Sequence, residues 1–196
     1  DDKVILNDSG GSSYDPKLKD TDARLPEYHN SIRIEGLGYK PNNIRYFTNK
    51  YINCTFRTKI NKKDDCLEIS LMSSGFNRID ENISFTRLIS IYDSTVLISD
   101  ESFSTKKYSI EHYFHFPVNS KIRKSDSQID IIIDDQKIKM TSNNMDKTII
   151  NQNKYLRYYS EQYSRSSLKN YIKSNSMISK GNPISYTIEV INSCAE

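Results

Sequence analysis

The chain has 196 residues, a formal net charge of +3 and a hydrophobic fraction of 36%. A chain of this length can bury a core of its own. Its 28 basic and 25 acidic residues are too evenly balanced to predict a nucleic-acid-binding protein. No apolar run approaches the roughly 20 residues that a transmembrane helix needs. The 3 widely spaced cysteines (Cys54, Cys66 and Cys194) indicate neither a disulfide framework nor a zinc site, so they leave the compartment open.

The first residues of the chain, Asp-Asp-Lys-Val-Ile-Leu, include no initiator Met and resemble a strand. They do not have the basic and then apolar pattern of a signal peptide. We therefore expect a mature chain or a fragment of a longer protein, and we favour the fragment.

Alternation of apolar and polar residues with period two dominates the sequence. About a dozen strands are predicted, at 3–7, 31–35, 51–60, 66–72, 83–91, 95–99, 108–116, 128–133, 137–141, 147–151, 155–160 and 184–191. Short strands separated by polar turns are typical of an antiparallel sandwich or barrel. We predict a single all-β domain over residues 1–196, an antiparallel β-sandwich with little helix.

The segments between the predicted strands carry weaker signals. Residues 164–175 are the one stretch that could form a short helix, although Asn and Ser make it a poor helix former. Residues 9–26 and 174–183 resemble linkers. The basic runs at 59–63 and 121–124 stand beside Asp or Ser, which favours solvated loops for both.

Two histidines occur in the predicted strand 108–116, in the run "EHYFHFP". Period two places His112 on the same face as three aromatic side chains, where a packed histidine is the simplest interpretation. His115 shares the other face with Glu111 and Tyr113. It could be a ligand, an acid or a base, and an inconsequential surface histidine is an equal alternative. The chain has no Gly-rich phosphate loop, G-x-S-x-G motif or His-Glu-x-x-His motif.

The third histidine, His29, is followed by Asn30 where a long loop becomes a strand. Functional residues gather on loops that a rigid scaffold holds in place. A histidine can move protons near neutral pH, and an Asn amide can donate to a carboxylate or an oxyanion. A cap or turn role without function is the alternative for both residues.

The segment "NKYLRYYSEQYSR" places tyrosines among arginines. Tyr158 and Arg157 are candidates for sugar stacking and carboxylate binding, respectively. An aromatic strand whose hydroxyl groups pack against the rim of the fold explains the pattern equally well.

Several of these motifs together resemble the signature of the heparinase II/III-like polysaccharide lyases. In that family a strand ends in an Asp-x-Gly turn followed by Tyr, and a loop leads to His-Asn-Thr and a strand ending in Asp-Gly. Here "ILNDSGGSSYDP" supplies Asp8, Gly10 and Tyr14 for the first part.

The run "YHNSIRIEG" supplies His29 and Asn30 for the second part, with Ser31 for Thr and Glu35-Gly36 for Asp-Gly. Further along, "HYFHFPVN" and "SYTIEV" resemble later strands of the same domain. The resemblance covers most of the chain and implies a C-terminal β-sandwich domain.

The resemblance also implies a partner domain and a reaction. Family members pair the sandwich with an N-terminal incomplete α/α toroid, and the cleft between the two domains binds an acidic polysaccharide. The reaction is β-elimination: a base removes the C5 proton of a uronic acid, and the 4-linked oxygen leaves. His29 corresponds to a site histidine, as the base or as an organising group. Asn30 would bind substrate or, more simply, hold the loop.

Some family members also hold a structural zinc in the sandwich. His115 is the weak candidate ligand here, and we expect no metal or other cofactor, while a structural zinc or calcium stays open. The expected location is the periplasm, the cell surface or the exterior of a bacterium, with the cytoplasm as an alternative. The other functional hypotheses are a non-catalytic carbohydrate-binding sandwich and a purely structural β-domain.

Overall fold

A computed structural model describes residues 4–7, 26–38, 56–77, 79–81, 83–117, 119–152, 158–159, 166–167 and 170–191. The strands are β1 (Ile32–Ile34), β2 (Phe56–Lys62), β3 (Leu67–Ser73), β4 (Phe85–Ile91), β5 (Thr95–Ser102), β6 (Tyr108–Phe116), β7 (Lys121–Lys124), β8 (Ile129–Ile133), β9 (Gln136–Ser142), β10 (Thr148–Gln152), β11 (Tyr158–Tyr159), β12 (Ser166–Ser167), β13 (Asn170–Ile178) and β14 (Ile184–Ile191). The helical segments of this part of the chain are two 3-10 turns, Pro26–Tyr28 and Met145–Lys147.

The strands assemble into a small and a large antiparallel sheet. The small sheet has four strands in the order β1-β6-β13-β10, and the large sheet has eight in the order β2-β3-β4-β5-β14-β9-β8-β7. β11 and β12 pair separately with each other. The predicted all-β antiparallel sandwich is therefore confirmed.

The core lies between the two sheets and follows the period-two pattern of the sequence. In β8, Ile129, Ile131 and Ile133 are buried and alternate with half-buried residues. The small sheet contributes Ile110, Phe114 and Phe116 from β6, together with residues of β1 and β13. The side chains between the sheets are mostly branched aliphatic and aromatic, so they pack well on pleated surfaces.

The small sheet covers only part of the large one. β10 contacts β7, and His112 of β6 bonds Asp100 of β5, so β1 lies at the end that faces β2 and β3. Along the cross-strand row from β5 to β2, the exposed fraction rises from 6% at Ile98 to 63% at Ile60. The inner face of the large sheet is therefore increasingly exposed from β5 towards its edge strand β2.

Three local predictions from the sequence are wrong. The possible helix at 164–175 and the linker at 174–183 both overlap β13, which extends to Ile178. β13 forms backbone hydrogen bonds with β6 on one side and β10 on the other. This pairing outweighs the low strand propensity of the Asn and Ser residues in β13. The basic runs were both expected to be loops, but 121–124 is strand β7, which pairs with β8, and most of 59–63 belongs to strand β2, which pairs with β3.

The first predicted strand is also wrong within the described residues. Val4–Asn7 forms no strand, although the amide of Asn7 donates to the carbonyl of His115 at 2.9 Å. Cys66 is a buried free thiol, while Cys54 and Cys194 lie outside the described residues. In the part of the chain that is described, no helix has the length and apolar character to cross a membrane.

Candidate functional site

The side chains of β6 that the sequence analysis selected are divided between the two faces of the small sheet. As predicted, His112 points into the core, and Tyr113 and His115 lie on the opposite face. His115 is fully buried there, with its ring stacked on Tyr171 of β13 at 5.4 Å between centroids. His115 is therefore not an exposed surface residue, and its role as a ligand, an acid or a base stays a prediction.

Asn30 is tied to this face through its side chain. The β1–β6 ladder continues past β1 through a bond from the amide of Tyr113 to the carbonyl of Ser31, at 3.0 Å. The next amide on the same edge of β6, that of His115, donates to Oδ1 of Asn30 at 2.7 Å. The amide oxygen of Asn30 is thus committed to the backbone of β6.

His29 lies at the bend immediately before this contact. It is half-buried, and its backbone amide donates to the carbonyl of Pro26 at 3.0 Å, which closes the 3-10 turn. Pro26 is itself buried, and a Cβ added at Gly38 would stand 2.2 Å from Pro26 Cγ. Close packing between Pro26 and Gly38 therefore holds the loop that carries His29 against the end of β1.

A cluster of charges occupies the same outer face beside the loop. Glu111 accepts from Lys173 Nζ at 2.5 Å and from the hydroxyl of Tyr113 at 2.9 Å. Arg33 stands 3.6 Å from both Glu111 and Glu27. Two cations and two carboxylates therefore balance each other on a partly exposed surface.

The ionisation of this cluster follows from its contacts. Burial alone would raise the pKa of Glu111, but the bonds from Lys173 and Tyr113 and the nearby Arg33 lower it below its usual value. Burial, followed by the hydrogen bond to Glu111, raises the pKa of the Tyr113 hydroxyl. Tyr113 consequently stays protonated and donates to an ionised Glu111 at neutral pH.

A second polar network lies inside the sandwich, where the sequence predicted only a packed histidine. Arg87 of β4 donates two hydrogen bonds to Asp100 of β5, both at 2.8 Å. His112 Nε2 lies 2.7 Å from the same carboxylate, and Asp100 and His112 are fully buried. This network joins the two sheets and was missed, although the alternation along β4 and β5 places both charged residues on the inner face.

The pKa values of this network show how it is charged. Burial would raise the pKa of Asp100, but Arg87 and His112 together lower it to about 2. For His112, burial outweighs the pull of Asp100 and lowers the pKa below 6.5. His112 is therefore neutral near pH 7 and donates through Nε2, because an ionised carboxylate can only accept.

The remaining site predictions cannot be placed on this surface. Arg157 lies outside the described residues, and for Tyr158 only the backbone pairing with Ser167 is described. Among the described residues, no group of three His, Cys, Asp or Glu side chains could hold a metal ion.

The fold is similar to that of known polysaccharide lyases. Over 98% of this chain it matches a heparan sulfate lyase from Pedobacter heparinus, with a TM-score of 0.69 and 10% sequence identity. A heparinase III with methylated lysines matches over 99% of the chain (TM-score 0.68, 15% identity), and a further heparinase III structure over 96% (TM-score 0.67, 13% identity).

The predicted resemblance to heparinase-like lyases is thus confirmed at the level of the fold. The matches cover 28% to 29% of those proteins, so the chain spans less than a third of their length. No protein-family model and no curated protein matches the chain.

Proposed function

We propose that this chain is the β-sandwich domain of a bacterial polysaccharide lyase, which cleaves a uronic-acid-containing polysaccharide by β-elimination. The observation that carries this proposal is the similarity of nearly the whole chain to one part of heparinase III and heparan sulfate lyase structures. A helical domain of the same protein would supply the other wall of the cleft. We expect the protein to act on its acidic substrate in the periplasm, at the cell surface or outside the cell.

His29 is the residue of this chain that we propose for the reaction. A neutral imidazole can take the C5 proton, and the electrons of that bond then form the C4=C5 double bond as the 4-linked oxygen leaves. His29 suits this role because it is half-buried at the start of an edge strand and not in the core. The next residue, Asn30, is bonded to β6, which supports a fixed position for the imidazole ring of His29.

The test is the activity of the full-length protein on acidic polysaccharides, followed by the absorbance of the unsaturated uronate at the new chain end. Replacing His29→Gln keeps a polar side chain but removes the group that takes a proton, and we expect kcat to fall by about 10²- to 10⁴-fold. Lys107→Ala, a change at an exposed residue, is the control and should keep full activity.

Two results would contradict the proposal in different ways. Wild-type protein that binds acidic glycans and never releases an unsaturated product would be a carbohydrate-binding module. Unchanged turnover in the His29→Gln variant would remove His29 from the site and leave the lyase activity standing.

A further inference from the structure

We propose that Asn30 is a positioning residue: its side-chain carbonyl replaces a backbone carbonyl in the β1–β6 ladder and thereby fixes the direction of His29. This inference rests on the proposed function of His29. It assigns Asn30 to the scaffold of the site and not to contact with the polysaccharide.

The hydrogen bonds around Asn30 give the side chain this role. In the antiparallel register, Ser31 accepts from Tyr113, so the next bond along the ladder would run from the amide of His115 to the carbonyl of residue 29. That amide instead donates to Asn30 Oδ1 at 2.7 Å. A backbone amide can only donate, so the atom of Asn30 that faces it must be oxygen, which settles the orientation of the amide group.

Because Asn30 Oδ1 takes this place in the ladder, the backbone amide of His29 bonds within its own turn. The amide of His29 turns back to the carbonyl of Pro26 at 3.0 Å, and the carbonyl of His115 accepts from Asn7 at 2.9 Å. The chain can therefore leave the ladder one residue early without leaving a buried amide of β6 unsatisfied. His29 therefore lies at a bend whose far end is fixed by the bond of Asn30 to β6.

The anchor on β6 is rigid. β6 is paired on both sides, by β1 and β13, and the ring of His115 is buried against Tyr171. A short side chain that bonds to such a strand has little freedom, and the residue next to it inherits that restraint. Asn and Asp have the length for this contact, whereas Ala provides no acceptor.

Two substitutions separate positioning from substrate contact in the full-length lyase. Asn30→Ala removes the acceptor, and we expect kcat to fall by about 100-fold with KM nearly unchanged, as for a misplaced catalytic group. Asn30→Asp keeps the acceptor oxygen and should retain most of kcat. If Nδ2 of Asn30 bound the substrate instead, Asn30→Asp would lose as much activity as Asn30→Ala and raise KM, which would overturn the proposal.

The matched control is Asn143→Ala. Asn143 Oδ1 accepts a backbone amide in the same way, from Ser185 of the neighbouring strand β14 at 3.0 Å, at the turn that follows β9. Its loss should cost a comparable amount of stability and leave kcat unchanged. An equal loss of kcat in this variant would mean that general destabilisation explains the effect of Asn30→Ala.

A second readout does not depend on activity. Hydrogen exchange of the His115 amide, followed by mass spectrometry, should be at least about 10-fold faster in Asn30→Ala than in wild type, because an amide without an acceptor exchanges readily. It should stay slow in Asn30→Asp and Asn143→Ala. Equal protection of the His115 amide in wild type and the three variants would refute the anchoring of Asn30 on β6. Protein that shows the exchange pattern without any lyase activity would refute the proposed function alone.

Discussion

Replacing Asp100→Asn would test the buried network between the two sheets. The change keeps the shape of the side chain but leaves the largely buried guanidinium of Arg87 without a counter-charge. Removal of one partner from a buried pair typically costs about 3–5 kcal/mol. The fall of the Asp100 pKa from 3.8 to about 2 corresponds to about 2 kcal/mol, so we expect a loss of about 2–5 kcal/mol in the free energy of unfolding.

Urea denaturation measures this loss directly. The chain has 14 Tyr and no Trp, so tyrosine fluorescence and circular dichroism would follow unfolding. The melting temperature should fall by roughly 4–20 °C, from about 2–4 °C per kcal/mol for a domain of this size.

The control is Asp130→Asn, which removes a partly exposed carboxylate 3.8 Å from Lys137 and should cost less than about 1 kcal/mol. Equal small losses in the two variants would show that the buried network contributes no more than a surface pair. That result would refute the interpretation of Arg87, Asp100 and His112 as a structural link.

Two further predictions concern acid stability and the loop of His29. Because the pKa of His112 is lowered from 6.5 by folding, the unfolded chain takes up a proton first, and stability should fall as pH drops below about 6.5. It should fall again between about pH 4 and pH 2 as Asp100 is protonated. Urea midpoints across pH would show both steps, and a His112→Gln variant that keeps the first step would contradict its assignment. Separately, Gly38→Ala should cost about 1–3 kcal/mol through its clash with Pro26 and, under the proposed function, lower the lyase activity of the full-length protein through His29. Thermal melting with unchanged midpoint would refute that clash.

Most strands could be predicted because each one has its own alternation of apolar and polar residues. The predicted limits of β6 and β14 agree with the structure, since their apolar residues alternate over eight or nine positions. β13 could not be predicted, because Ser174 and Ser176 point into the core where apolar residues are expected. Only the neighbouring strands, distant in sequence, make that segment extended.

In the candidate site, too, local features could be predicted and contacts between distant residues could not. The sequence showed that His29 and Asn30 stand where a loop becomes a strand. In the structure this strand, β1, is the edge strand of the small sheet. The bond from Asn30 to His115 was not visible, because it joins residues 85 positions apart. Likewise, the pairing of Arg87 with Asp100 depends on which strands become neighbours, and hydrophobic alternation alone does not contain that information.

The order of strands in the two sheets has a consequence for how the protein reaches its native state. β2 to β5 are neighbours in both sequence and space, so they can form as successive hairpins with short closing loops. The ladder between β1 and β6 must wait for a chain closure of about 80 residues, which is entropically costly. The bend that carries His29 should thus be among the last regions to form during refolding, and a chain arrested midway would contain most of its strands while lacking this bend.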